Sequence, residues 1–429
     1  MKFKTRTEAL AEPRAFLSEL FHVAVAASTP LQGMKTHLPP PPKGRTVVVG
    51  AGKAAGEMAM ALEALWPHRV EGAVVARHGT TANLKHIRLL TAAHPVPDEA
   101  GLNASATMLD LVNDLSTDDL VIALISGGGS ALLPAPVQGL TLADEIALNK
   151  ILLASGAPIA AMNVIRKQFS KIKGGRLALA AYPARVVTFV VSDIPGDVLA
   201  LVASGPTLAD ATTRQDALAA VSHYQISLPE RLQKFLDTAT EAPSPGHPAF
   251  QNNAVHLVAS AVRSLQAAAK AATAIGIPTH ILSDAIEGET KDIARMHAAI
   301  ALAVKRTSHP FVPPCLILSG GETTVTLGAK AAGKGGRNSE FLLSFAQVIA
   351  GEAGIVALAA DTDGIDGSET NAGGFVDGHT LDAIRAQGGN AASFLTRHDS
   401  WTALNLAESL FVTGPTGTNV NDFRAILVF

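Results

Sequence analysis

Residues 46–50, Thr-Val-Val-Val-Gly, open the most constraining pattern in this chain. The apolar run passes through Gly50, Gly52, Lys53 and Ala55 into a segment whose Met58, Ala61, Leu62 and Leu65 recur at helical spacing. A second apolar run at 72–76 follows and ends at Arg77. Strand, glycine turn, helix and strand make a βαβ unit, and a helical crossover leaves the two strands parallel. The alternation continues with strands expected at 120–125, 185–191, 279–282, 316–318, 355–360 and 425–429, and helices between them. That order predicts an α/β protein rather than a sandwich or a bundle.

The length of 429 residues allows two or three domains. The Pro-rich stretch 241–253 is the best linker candidate, placing the boundary between 1–245 and 246–429. Leu10, Phe16, Leu20, Phe21 and Val25 predict an amphipathic helix rather than a signal peptide. No run approaches the ~18 apolar residues of a membrane span, so a cytoplasmic protein without a membrane partner is expected. Thirty-four basic against 37 acidic side chains, with no basic cluster, give no reason to expect nucleic acid. One cysteine, Cys315, excludes a disulfide scaffold and reads as a buried thiol.

Two strand ends echo each other. Residues 124–130 end in Ser126, Gly127, Gly128, Gly129 and Ser130, and residues 317–323 in Ser319, Gly320, Gly321, Glu322 and Thr323. Each reads as a loop that brings backbone N–H groups close to a ligand, in a cleft between domains. After the second, Gly328, Lys330, Lys334 and Arg337 precede a helix expected from Asn338, a setting that favours an anion. Residues 328–335 are a near miss to the nucleotide-hydrolase phosphate loop, lacking its final Ser/Thr. Arg337 is the stronger candidate there, because its fork grips carboxylate or phosphate at two points.

Gly50, Gly52 and Ala55 also fit the dinucleotide fingerprint, and Arg77 stands where an NADP-binding arginine could sit. That keeps an NADPH-dependent reductase as the alternative, although a plain pyrophosphate loop has no need of Lys53. Asp193, Asp361 and Asp363 at strand ends are the carboxylates a Mg²⁺–nucleotide site would use, and equally ordinary caps. His78 and His94 read as turn or surface residues. The 126–130 loop lacks the Gly-x-Ser-x-Gly elbow of a serine hydrolase.

Taken together, Lys53, the 126–130 loop, Asn163 and Arg166 in 163–176, 192–197 with Ser204, the 319–323 loop, Arg337 with Asn338, 361–364, and Gly414, Thr416 and Asn419 resemble the class II glycerate 2-kinase family. Its C-terminal domain is the multi-organism fragment rich in leucine (MOFRL), and members are often labelled hydroxypyruvate reductase in a tartrate-degradation context. The resemblance covers nearly the whole chain. It implies a Rossmann-like α/β/α N-terminal domain, a smaller C-terminal α/β domain and an interdomain cleft. It also implies ATP-dependent phosphorylation of D-glycerate to 2-phosphoglycerate with Mg²⁺, and leaves a homo-oligomer open. The family's active-site Lys and Arg fall on Lys53 and Arg337. The Ser-Gly-Gly loops are expected to hold ATP phosphates, and Asp193 to bind Mg²⁺ or accept the 2-hydroxyl proton. The alternative is an NADPH-dependent hydroxypyruvate reductase.

Overall fold

The structure, a computed structural model, describes residues 2–327 and 333–429; Gly328 and Lys330 of the expected anion loop lie outside the described residues. The chain divides into two compact units, one of residues 30–258 and one joining the start of the chain to 259–429. The division therefore differs from the one expected after 245 in two ways. The amphipathic N-terminal helix, Pro13–Ala27, belongs with the C-terminal unit, where its buried Phe16, Leu20 and Phe21 share a core with Leu316, Leu358 and Phe423. The Pro-rich stretch is no linker: Arg176 Nη2 donates to Thr240 O, Arg185 Nε to Asn252 O, and Val186 N to Asn253 Oδ1, all within unit 30–258.

In unit 30–258, β1 (Thr46–Ala51), β2 (Glu71–Arg77), β3 (Ile87–Ala92), β4 (Leu120–Ser126), β5 (Arg185–Val191) and β6 (Ala254–Ala259) form one sheet in the order β3-β2-β1-β4-β5-β6. The pairs from β3 through β5 are parallel. Every residue of β1 and β4 is buried, as central strands covered on both faces require. Sequence periodicity missed β3, an edge strand whose middle is only partly buried. The strand order reverses between β1 and β4, and the carboxyl ends of such strands are where open α/β sheets bind ligands.

The other unit holds β7 (Thr279–Ile281), β8 (Ile286–Glu289), β9 (Cys315–Thr324), β10 (Ile355–Asp361), β11 (Gly373–Asp377), β12 (Leu410–Phe411) and β13 (Asp422–Val428). Its sheet is mixed, β12-β11-β10-β13-β9-β7 with β8 also on β9. Side chains of β9 alternate: Leu316 and Leu318 enter the core with the N-terminal helix, while Cys315 and Ile317 enter one with Phe341 and Phe345 of the helix Arg337–Val348. Cys315 is the buried thiol expected, its pKa pushed up to about 11 by burial. Among the described residues no helix is long and apolar enough to cross a membrane.

Candidate functional site

At the β1/β4 switch point the chain turns through Gly52, Lys53 and Ala54 into the helix Ala55–Leu65. Gly52 has φ of +137°, and a Cβ there would stand 2.0 Å from Ser126 Oγ, so no other residue fits. The turn's amides all have protein acceptors. Gly52 N donates to Val75 O, Lys53 N to Gly127 O and Ala55 N to Gly52 O, while Ala54 N donates to Ser126 Oγ at 3.1 Å. A dinucleotide pyrophosphate needs those donors, so this turn lacks what the fingerprint predicts. What it presents instead is the Lys53 side chain.

The Lys53 side chain is 28% exposed, and its Nζ lies 3.8 Å from Asp193 Oδ2. The Asp193 carboxylate sits so close to the 126–130 turn that a Cβ on Gly127 would come within 1.6 Å of it. Gly128 turns with φ of +78° into a one-turn helix, Gly129–Leu132. A Cβ on Gly128 would be 3.0 Å from His94 Nε2 and 3.2 Å from Lys53 Cγ. His94, read from sequence as a turn or surface residue, is therefore part of this site. Burial first, then the charges of Lys53 and Arg77, holds its pKa below the usual value, so it is a neutral imidazole at pH 7. His78, by contrast, pairs at the surface with Asp98 and Thr91.

Behind the turn runs a polar chain. Ser130 Oγ meets Ser204 Oγ at 2.9 Å, Ser204 donates to Asn163 Oδ1 at 3.0 Å, and Asn163 donates to Leu201 O. Arg166 donates to Asn163 Oδ1 at 3.2 Å and to Asn149 Oδ1 at 2.8 Å. These four predicted residues come together, but their polar groups are largely engaged with one another and serve to fix the turn.

In the other unit Arg337 is enclosed by acids. Its Nε donates to Asp422 at 2.7 Å, Nη1 to Glu322 at 3.0 Å and Nη2 to Asp361 at 2.6 Å. Burial alone would lower its pKa, but the three carboxylates outweigh it and keep the guanidinium charged. Asp422 also accepts from Asn338 Nδ2 and pairs with Arg424, whose burial at 1% exposure lowers its own pKa. Burial, against the pull of Arg337, and the nearby Asp363 and Asp422 hold Asp361 well above the carboxylate range. The helix N-terminus expected to attract a ligand anion already has one: Asp366 accepts from Asn338 N and Ser339 N, both at 2.8 Å, and from the Ser339 hydroxyl. A cavity of about 400 Å³ adjoins this cluster, lined in part by Arg337, Asp361, Asp366, Glu340 and His398.

The second Ser-Gly-Gly loop is not a loop. Ser319, Gly320, Gly321, Glu322 and Thr323 lie inside β9, paired with β13 as far as Gly321 and with β8 from Gly321 on. Their backbone groups face partner strands, which removes the phosphate cradle expected of Gly320 and Gly321. Ser319 Oγ donates to His297 Nε2 and Thr323 Oγ1 accepts from Arg424 and Thr290. Asp363 accepts from Ile365 N and from Asn419 Nδ2. Thr416 is tied to the same turn through its N–H to Asp363 O and its hydroxyl to Thr362 O, and Gly414 O packs against Gly364. Sequence reasoning missed His94, Asp366, Asp422 and Arg424. Among the described residues no group of three or more His, Cys, Asp and Glu side chains is placed to hold a metal ion.

Residues 16–237 match the family model described as a domain of unknown function, DUF4147, and residues 315–422 match the MOFRL family. An Agrobacterium vitis protein with the provisional name hydroxypyruvate reductase is 48% identical over 97% of this chain and 94% of its own. The D-glycerate 2-kinase of Thermotoga maritima is 36% identical over 94% of this chain and 95% of its own. The crystal structure of a Thermotoga maritima glycerate kinase superposes with a TM-score of 0.87 at 34% identity, covering 98% of this chain and 100% of that one.

Proposed function

The chain belongs to the class II glycerate 2-kinase family, and from that membership we propose that it transfers the terminal phosphoryl group of ATP to the 2-hydroxyl of D-glycerate. The observation that carries this reading is the end-to-end likeness to a D-glycerate 2-kinase in both sequence and fold. ATP as donor is consistent with a cytoplasmic enzyme.

Phosphoryl transfer asks a protein for positioning and charge neutralisation more than for covalent chemistry. Lys53, with its ammonium group beside the 126–130 turn, neutralises the charge that develops on the moving group. Of the carboxylates predicted for metal, Asp361 is on Arg337 and Asp363 is on its own turn and Asn419. Asp193 is the carboxylate beside Lys53 and the 126–130 turn, and Mg²⁺ commonly takes only one or two protein carboxylates. Asp193 would hold the ion, which when bound supplies neutralising charge to phosphate oxygens. Among Arg337's three partners Glu322 is the exposed one, at 44%, and it is the one a substrate carboxylate replaces.

The name of the Agrobacterium relative favours a reductase as the second reading. The engaged amides at residues 52–55 speak against it. The test is purified protein with D-glycerate, ATP and Mg²⁺, following ADP release and resolving 2- from 3-phosphoglycerate, beside a reaction with hydroxypyruvate and NADPH. ADP with 2-phosphoglycerate and no NADPH loss is expected. NADPH oxidation without ADP overturns the proposal.

A further inference from the structure

A second cavity, of about 630 Å³, lies in unit 30–258, and none of its lining residues belongs to the Lys53 site. The Pro-rich stretch forms one wall, through Glu241, Pro243 and His247, beside Thr240. At the cavity stands Gln168, 1% exposed, with neither Oε1 nor Nε2 hydrogen-bonded. A buried amide with both ends unmatched destabilises a fold unless something else meets it.

The charges around that amide are also unmatched. Arg176 gives its guanidinium to backbone carbonyls alone, Lys167 O at 2.6 Å, Lys173 O at 3.3 Å and Thr240 O at 3.1 Å. Burial pulls its pKa down with no carboxylate to oppose it. Lys171 is exposed and makes no ion pair among the described residues. Glu241 is the one acid on the lining, and it too is exposed. Phe235, packed on Phe169 at 5.5 Å between ring centres, supplies an apolar surface.

We propose that this cavity is a second binding site, for a small organic oxyanion with an aromatic or apolar body. Lys171 and Arg176 meet the anion, the Gln168 amide pairs with a neighbouring donor and acceptor, and Phe235 covers the body of the ligand. Two cations beside an unmatched amide and a ring suit a phosphate ester or a carboxylate equally, and the probes separate those sources.

Isothermal titration of the full chain with phenyl phosphate, benzoate and inorganic phosphate tests this. Saturable binding of phenyl phosphate or benzoate, tighter than that of inorganic phosphate, is expected. Lys171→Ala should weaken it about tenfold, as loss of a charge-assisted contact does, while Lys53→Ala leaves it unchanged. Gln168→Leu should weaken it and leave the melting temperature of the free protein equal or higher, since an unmatched amide is removed. The proposal is overturned if none of the probes saturates at millimolar concentration, or if binding is lost with Lys53→Ala and kept with Lys171→Ala. A lower melting temperature for Gln168→Leu would also overturn it, marking the amide as a structural group with partners of its own.

Discussion

Lys53, in unit 30–258, has a side chain 28% exposed and one carboxylate 3.8 Å from its Nζ. Arg337, in the other unit, has every guanidinium nitrogen on a carboxylate at 3.0 Å or less. In the sequence each is a cation in a glycine-rich bend before a helix. Such a bend only positions a charge. Whether the charge is available depends on what the rest of the fold brings to it. The Lys53 turn brings hydroxyl and amide groups, and the Arg337 bend brings acids.

The largest expected effect follows from that contrast. Arg337→Ala would leave Asp361 buried without its cation and Asp422 with Arg424 alone, and breaking a buried pair typically costs about 3–5 kcal/mol. Urea unfolding should register it, and adding Asp361→Asn to the variant should recover part of the loss, because the two residues are coupled. If Arg337→Ala left stability unchanged, the enclosing acids would be incidental to the fold and the guanidinium would serve the substrate alone.

Lys53→Ala should do the opposite, lowering kcat/KM for glycerate by roughly 10²–10³ with little change in the denaturant midpoint. A turnover near wild type would remove Lys53 from the reaction.

Acid separates the units further. His297 is buried, with Nδ1 donating to Ile293 O and Nε2 accepting from Ser319, and burial holds its pKa down to about 4 from the usual 6.5. The unfolded chain binds that proton and the folded one does not. Stability contributed here is full above about 6.5 and is lost as pH falls toward 4, by roughly 3 kcal/mol in all. Hydrogen exchange of β9 amides should report the loss, and His297→Gln should flatten it. The raised carboxylates Asp361 and Asp366 act in the opposite sense, so the wild-type-minus-variant difference isolates the histidine. In unit 30–258, Asp210 behaves otherwise. Burial would raise its pKa, but Lys167 and Thr212 outweigh that and hold it low. Its contribution persists until pH falls below the ordinary carboxylate range near 4.

The smallest change is Ser126→Ala, which leaves Ala54 N without its acceptor. About 1–3 kcal/mol of stability should go, with KM rising more than kcat falls as the Lys53 turn loosens. A Ser126→Ala variant as stable as wild type would mean that the turn is held by its backbone alone.

How much was legible follows from the range of each signal. The β1 turn, the 126–130 turn and the N-terminal helix are written in neighbouring residues, and the structure has all three. The 319–323 segment looked like the 126–130 turn because both follow an apolar run with Ser-Gly-Gly. Its conformation, however, is set by β13, about a hundred positions further on, and by β8. The acids around Arg337 lie 15, 24 and 85 positions away, beyond any local pattern. His94 had no signal except the loop that contains it, because its neighbour Gly128 is remote in sequence.

Local pattern alone carries the alternating α/β order, the parallel pairing it forces and the two glycine turns at the β1/β4 switch point. Hydrophobic periodicity and glycine's backbone freedom act over a few residues, so they can be read in order. It takes the folded chain to surround Arg337 and the helix start after it with acids, and to make the Pro-rich stretch a cavity wall rather than a link between units. Those outcomes are sums of charge and hydrogen-bond contacts between distant segments, and such sums exist only once the chain is folded.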